Sequence, residues 1–142
     1  MKTAPQLKKL MTPFPYSIDL DASVKQAQDL MEQHNVHHLP VTEGHTLIGV
    51  VTDRDVKAKL AERSGYRSGL VVRDVYVSDV YVVAIDEPLD NVLMAMAERH
   101  IGSVLVTKKG RLAGVFTSTD ACRGFGDYLR ELFPRGTGDE VA

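Results

Sequence analysis

The chain is poor in the residues that usually announce chemistry. Cys122 is its only cysteine among 142 residues. An intrachain disulfide is therefore excluded, as is a cysteine-based zinc site within one copy. Cys122 reads as a buried helix residue, with no sign of a reactive thiol. Tryptophan is absent, and aromatic residues make up 6% of the chain. Charge of one sign is lacking too: the net charge is −2. Residues 1–71 hold 9 basic and 8 acidic side chains, and residues 72–142 hold 8 and 11. Neither half carries the field that nucleic acid or an acidic membrane surface would require. No apolar run is longer than Val80–Ile85, which is far too short to span a bilayer. The opening "MKTAPQLKKLM" has lysines but no apolar stretch of signal-peptide length. A cytoplasmic location is the expectation. There is no Gly-x-Gly-x-x-Gly, no Gly-Lys-Ser/Thr loop, and no nucleophile that can be placed beside a base, so an enzyme is the weakest class.

What is present is an ordinary globular composition, 44% apolar and 25% charged. It also contains a repetition. "GVVTDRD" (Gly49–Asp55) returns as "GVFTSTD" (Gly114–Asp120), 65 residues later. At that offset Ile18–Val56 aligns without gaps on Val83–Ala121, with nine identities. These are Asp21/Asp86, Met31/Met96, Val41/Val106, Thr42/Thr107, Leu47/Leu112, Gly49/Gly114, Val50/Val115, Thr52/Thr117 and Asp55/Asp120. They cluster in apolar strands and at the Thr-x-x-Asp ends, as a structural duplication would place them.

Each copy reads β-α-β-β-α. "YSIDL" and "YVVAI" are short and rich in strand formers. Ser23 is placed to cap a helix in which Val24, Ala27 and Met31 share a face. Pro88 is expected near the first helical position of the partner helix. "HLPV" with "TLIGVVT", and "SVLVT" with "RLAGVFT", form hairpins across the turns "EGH" and "KKG". Helices follow over Asp53–Arg63 and Ser118–Leu132, the latter weakened by Gly124 and Gly126. "SGYRSGL" (Ser64–Leu70) reads as a linker. The expected organisation is a first repeat with its N-terminal segment over 1–66, a second repeat over 67–133, and a disordered tail over 134–142. The fold class is mixed α/β (α+β). Units this small bury their sheets best by packing about a pseudo-two-fold axis, which creates two equivalent clefts.

Thr-x-x-Asp has two readings. A Thr N-cap with an acidic residue three positions on makes a capping box and suits the helix dipole. The same geometry serves a nucleotide, because a helix start attracts phosphate and a carboxylate accepts from ribose hydroxyls.

At these residues the chain resembles a tandem pair of CBS domains, the arrangement called a Bateman module. The resemblance rests on "LMTPFPYSIDLDASVKQAQDLMEQHNVHHLPV" with "LIGVVTDRD", then "HIGSVLV" with "LAGVFTSTD", and covers about residues 8–130. With no other domain attached, the chain looks like a stand-alone module. The resemblance implies a regulatory module that senses energy state or a metabolite through AMP, ADP or ATP, with S-adenosylmethionine also a candidate. It implies no required cofactor and no catalysis. It implies a homodimer shaped as a flat disc, and a regulated protein that the sequence does not identify. An interaction module that dimerises or docks with empty clefts is the alternative.

Carried over residue by residue, the resemblance gives one cleft Thr117, Thr119 and Asp120, facing Thr12, Phe14, Pro15, Tyr16, Val36, His37 and His38. The other receives Thr52, Arg54 and Asp55, facing Val77, Asp79, Val80, Tyr81, Ile101, Gly102 and Ser103. Asp55 and Asp120 would hold ribose hydroxyls, and Thr52, Thr117 and Thr119 would face phosphate. The segments around Tyr16 and Tyr81 would meet the adenine edge through backbone groups. Val36 and Ile101 would supply apolar contact. Acidic Asp79, and Gly102 and Ser103 in place of two histidines, disfavour phosphate in the Thr52/Asp55 cleft, although Arg54 offsets this. The Thr117/Asp120 cleft is therefore expected to bind more tightly.

Other residues read more plainly. His34, His37, His38 and His45 share no recognised metal-ligand spacing. Met31 and Met96 belong to the core. In "RGFGDYLRELF", Phe125, Tyr128, Leu129, Leu132 and Phe133 form an apolar face that needs a cover, either the module's own sheets or a second chain.

Overall fold

A computed structural model describes residues 4–13, 15–62 and 69–136. Its element order is α1 (Leu7–Leu10), β1 (Thr12–Pro13), β2 (Ile18–Asp19), α2 (Val24–His34), β3 (His38–Glu43), β4 (Thr46–Thr52) and α3 (Asp53–Glu62), followed by a 3-10 turn (Val72–Asp74). The second half adds β5 (Val82–Ala84), α4 (Leu89–Arg99), β6 (Ser103–Lys108), β7 (Arg111–Thr117) and α5 (Ser118–Leu132). The class is mixed α+β. Phe14, the boundary between the expected units and residues 137–142 of the expected tail lie outside the described residues.

Two sheets result, β2-β3-β4 and β1-β7-β6-β5. Their registers repeat at the offset of 65: His38 faces Thr52 as Ser103 faces Thr117, and each hairpin shifts register at the equivalent place, Val41/Thr42 and Val106/Thr107. β2 runs parallel to β3 as β5 does to β6. The duplication seen in the sequence is therefore a duplication of hydrogen-bond register.

Local chemistry sets the helix ends. Ser23 Oγ accepts from Gln26 N–H at 3.0 Å, and Gln26 Oε1 accepts from Ser23 N–H at 2.8 Å, a reciprocal capping box. Pro88 stands next to the first helical position, Leu89. It is the N-cap, with ψ 133, because its carbonyl already accepts from Asn91 and Val92. α2 and α4 both stop at a left-handed residue, Asn35 and His100. The glycines of α5 do not break it, and Cys122 on this helix is exposed rather than buried. Gly124 accommodates Leu10, whose Cδ1 would lie 2.6 Å from a Cβ there.

Each sheet packs its helices on one face. Leu39, Val41 and Val51 join Val24, Ala27 and Met31 in one core, while Val104, Val106 and Phe116 join Val92 and Met96 in the other. The opposite faces carry Pro40 with Val50, and Leu105 with Val115, and these are buried too. They belong to neither helical core. Sheets stacked face to face produce that pattern.

The flanking segments are exchanged between the halves. Thr12 and Pro13 pair with Val115 and Gly114 of β7, and Leu7 and Met11 sit in the second core. Val77 bridges to Val50 of β4, and Leu70, Val72 and Val75 sit in the first core. Thr12 and Val77 are themselves equivalent at the offset of 65. Chain order and packing thus divide the molecule differently. Residues 7–13 pack with the second repeat, and residues 70–77 with the first.

Candidate functional site

Each hairpin delivers a threonine to the start of a helix. Thr117 is extended (φ −113, ψ 167), which turns its side chain back over the first turn of α5. Its Oγ1 accepts from Asp120 N–H at 3.2 Å, while Asp120 Oδ2 accepts from Thr117 N–H at 2.9 Å and from Thr117 Oγ1–H at 3.1 Å. Thr52 and Asp55 repeat the hydroxyl part of this cap, without the bond from the threonine N–H: Thr52 Oγ1 accepts from Asp55 N–H at 3.1 Å and donates to Asp55 Oδ2 at 2.9 Å. Both phrases are helix caps, and the cap bonds engage Oδ2 alone. Asp120 is 9% exposed, unusual for a carboxylate, and its Oδ1 lies 3.7 Å from Arg123 Nη1.

The segment exchange brings part of each expected wall to the opposite sheet. Thr12 lies on β7 two residues before Thr117, and Val77 lies on β4 two residues before Thr52. Pro15, Val36 and Ile101 are half-buried, as are Val80, Tyr81 and Ser103. Thr119, Arg54 and Asp79 are exposed. His38 and Gly102 meet across the pseudo-axis: a Cβ on Gly102 would lie 3.9 Å from His38 Nε2 and 3.9 Å from Ser118 Oγ. Ser118 N–H donates to the Gly102 carbonyl, as Asp53 N–H does to that of His37.

His38 stands within the fields of both cleft aspartates. Its pKa is lowered by burial first and by His37 second, against the opposing pull of Asp53, Asp120 and Asp55. The unfolded side chain titrates near 6.5. As pH falls through that value the unfolded chain takes up the proton first, so stability drops until the folded pKa is reached, and no such loss exists above it. We expect the urea midpoint to fall more steeply between about pH 7 and 5 in the parent than in His38→Gln. Parallel slopes would mean that His38 titrates as a free imidazole.

Several contacts escaped the sequence. His37 Nδ1 lies 2.9 Å from Asp53 Oδ2, and Lys57 Nζ 3.9 Å from the same oxygen. Burial pushes the Asp53 carboxyl up, but the bond from His37, the His37 charge and Lys57 bring it below its ordinary value. Tyr16 stacks on His34 with centroids 3.6 Å apart and planes at 15°. The Arg99 guanidinium lies 4.4 Å above the Tyr81 ring. These two pairs are equivalent at the offset of 65, a coincidence visible in the sequence only to a reader already pairing those four positions. Among the described residues no group of three or more His, Cys, Asp or Glu side chains is placed to hold a metal ion.

A cavity of about 790 Å³ opens elsewhere, between α1, the start of α4 and α5, lined by Leu7, Leu10, Leu89, Leu93, Phe116 and Phe125 among others. None of the residues expected in the clefts lines it. It continues the apolar side of α5, where Phe125, Leu129 and Phe133 are exposed.

Two registered β-α-β-β-α units with exchanged flanks and Thr–Asp helix starts define a tandem pair of like domains. The model of the CBS domain matches residues 7–62 and again 72–127, and the chain belongs to that family. The solved CBS domain pair of protein MJ0100, in complex with 5′-methylthioadenosine and S-adenosyl-L-methionine, superposes with a TM-score of 0.80 at 26% identity, over 89% of this chain and 99% of that one. The CBS-domain containing protein ATU1752 from Agrobacterium tumefaciens gives 0.77 at 20% identity, over 85% and 99%. Among curated relatives, L-aspartate semialdehyde sulfurtransferase of Methanocaldococcus jannaschii is 28% identical over 84% of this chain. Inosine-5′-monophosphate dehydrogenase of Korarchaeum cryptofilum is 31% identical over 87%. The chain spans only 23% and 24% of the length of these two relatives.

Proposed function

We propose that this CBS pair is a cytoplasmic regulatory module that binds an adenosine-containing ligand of the AMP, ADP or ATP class between its repeats, and that it does no chemistry itself. The observation that carries this reading is the pair of symmetry-related Thr–Asp helix starts. In each, the cap bonds occupy Oδ2, leaving Oδ1 to accept from a ribose hydroxyl, and the helix N-terminus favours a phosphate. The exposed Thr119 and Arg54 and the half-buried His38 add donors. The ligands of the MJ0100 pair both contain adenosine, which supports the base and ribose of the reading but not its phosphates. A ligand bridging both repeats would favour one angle between them, and that difference is what a regulated protein would sense.

The Thr117/Asp120 cleft is read as the tighter of the two. α3 begins with two carboxylates, Asp53 and Asp55, whereas α5 carries Ser118 at the position equivalent to Asp53. Fewer negative charges at a helix start suit an anionic ligand. Titration calorimetry of the protein with AMP, ADP, ATP and S-adenosylmethionine tests the reading, and one saturable ligand is expected. A second reading is favoured by the exposed ridge Phe125, Leu129 and Phe133, spaced to share one face of α5 and its end. On that reading the chain homodimerises or docks on a partner with its clefts empty. No heat and no thermal shift at millimolar ligand, with a dimer in light scattering, would select it.

A further inference from the structure

The two tyrosine segments are equivalent in sequence but not in hydrogen bonding. In the second repeat Leu105 N–H donates to the Tyr81 carbonyl at 3.0 Å, and β5 pairs with β6 from Val82 onward. The equivalent donor in the first repeat would be residue 40, which is proline and has no N–H. The parallel ladder there begins one residue later, at Ile18 opposite Val41. At their far ends the two ladders agree again, with Leu20 N–H on the Thr42 carbonyl and Ile85 N–H on that of Thr107. The single missing rung is therefore the work of Pro40, and the Tyr16 carbonyl loses its strand donor.

Something else positions that segment. Tyr16 is 49% exposed, yet its ring lies flat on His34, the last residue of α2. Arg99, the last residue of α4, covers the half-buried Tyr81 in the same way. The Tyr81 segment is thus held by a strand bond and a cation over its ring, whereas among the described residues the Tyr16 segment keeps the ring contact alone.

We propose, resting on the adenosine reading above, that Pro40 makes the Thr117/Asp120 cleft the base-selective one of the two, with the Tyr16 carbonyl left open for the exocyclic amino group of a purine and His34 acting as its positioning residue. An acceptor fixed in place rewards a 6-amino base. It repels a 6-oxo base, whose own acceptor would face it. In the second cleft the Tyr81 carbonyl already accepts from Leu105, which turns it into the sheet and weakens its preference.

The test uses the full chain in an Asp55→Ala background, so that heats report on the Thr117/Asp120 cleft. Two matched pairs are titrated: AMP with IMP, and 5′-methylthioadenosine with 5′-methylthioinosine. The amino member of a pair should bind about tenfold or more tightly than its oxo partner. Pro40→Ala restores an N–H, so the preference should shrink towards unity, and the amide introduced at position 40 should be protected from hydrogen exchange. His34→Ala, at a half-buried position, should weaken the amino member several-fold and leave the oxo member nearly unaffected. An unprotected amide at position 40, or an unchanged preference in Pro40→Ala, overturns the proposal and leaves the adenosine reading standing. If the unaltered protein binds none of the four compounds, the adenosine reading falls and the proposal with it.

Discussion

Asp120→Ala should weaken adenosine-ligand binding by about tenfold or more, the equivalent of removing a charge-assisted contact, and should also destabilise the fold by about 1 kcal/mol. The two losses have different causes. Asp120 Oδ2 accepts from the backbone and hydroxyl of Thr117, so deleting the carboxylate removes half of a capping box. Its proposed ribose contact uses the other oxygen, and at 9% exposure that oxygen is little screened by solvent. Asp120→Asn separates the two roles. The amide keeps an oxygen for the cap but loses the charge, so stability should be largely retained while affinity falls. Asp55→Ala should cost less stability, since its carboxylate accepts from the Thr52 hydroxyl but not from the Thr52 N–H. It should leave the tighter binding event in place. Calorimetry and urea melts of the three variants distinguish the cases. If Asp120→Ala loses stability but no affinity, the Thr-x-x-Asp phrases are caps and nothing more.

What the sequence made legible was whatever is local or periodic. The hairpins β3-β4 and β6-β7, the cap at Ser23 and the offset of 65 all follow from apolar alternation, turn residues and capping chemistry. β4, β7 and α5 match their expected bounds because each ends at a strong local signal, the Thr-x-x-Asp phrase or the loss of helical pattern. The segment exchange was not legible. Leu7 and Met11 look like the start of the first repeat, but an apolar residue near a chain end does not say which core it fills. His37 shows the same limit. The resemblance puts it in a cleft wall, but only the fold shows its Nδ1 facing Asp53, sixteen residues on, because β3 and the start of α3 converge there. The effect of Pro40 was hidden for another reason. A missing N–H matters only once the strand beside it is known.

The repeated phrase begins with a glycine, and its role predicts the largest loss of stability. Gly49 and Gly114 sit inside strands, where glycine ordinarily weakens a sheet and often marks a close approach of another backbone. Both do so here. A Cβ on Gly49 would lie 2.3 Å from the Val77 carbonyl oxygen and 2.8 Å from Tyr76 Cδ2. One on Gly114 would lie 2.6 Å from Met11 Sδ and 2.8 Å from the Thr12 carbonyl oxygen. Those neighbours are the exchanged segments. Gly49→Ala must push Val77 off β4, breaking the two main-chain bonds between Val50 and Val77, at 3.0 and 2.8 Å. Overpacking of about 1–3 kcal/mol and the loss of two hydrogen bonds at about 1 kcal/mol each outweigh the gain in strand propensity. The expected cost is about 3 kcal/mol, or about 10 °C in Tm for a chain of this size. Gly114→Ala should cost less, because the flexible Met11 side chain can move and the nearest backbone oxygen is farther away. The damage should also be directional. Val77 leads into the segment around Tyr81, so Gly49→Ala should disable the Thr52/Asp55 cleft and spare the other, while Gly114→Ala does the reverse. Calorimetry on each variant, paired with a thermal melt, reads both effects. Equal stability of Gly49→Ala and the parent would show that Val77 does not cross to β4. The glycine of each phrase would then have to be explained by its own strand, rather than by the segment that the other repeat sends across it.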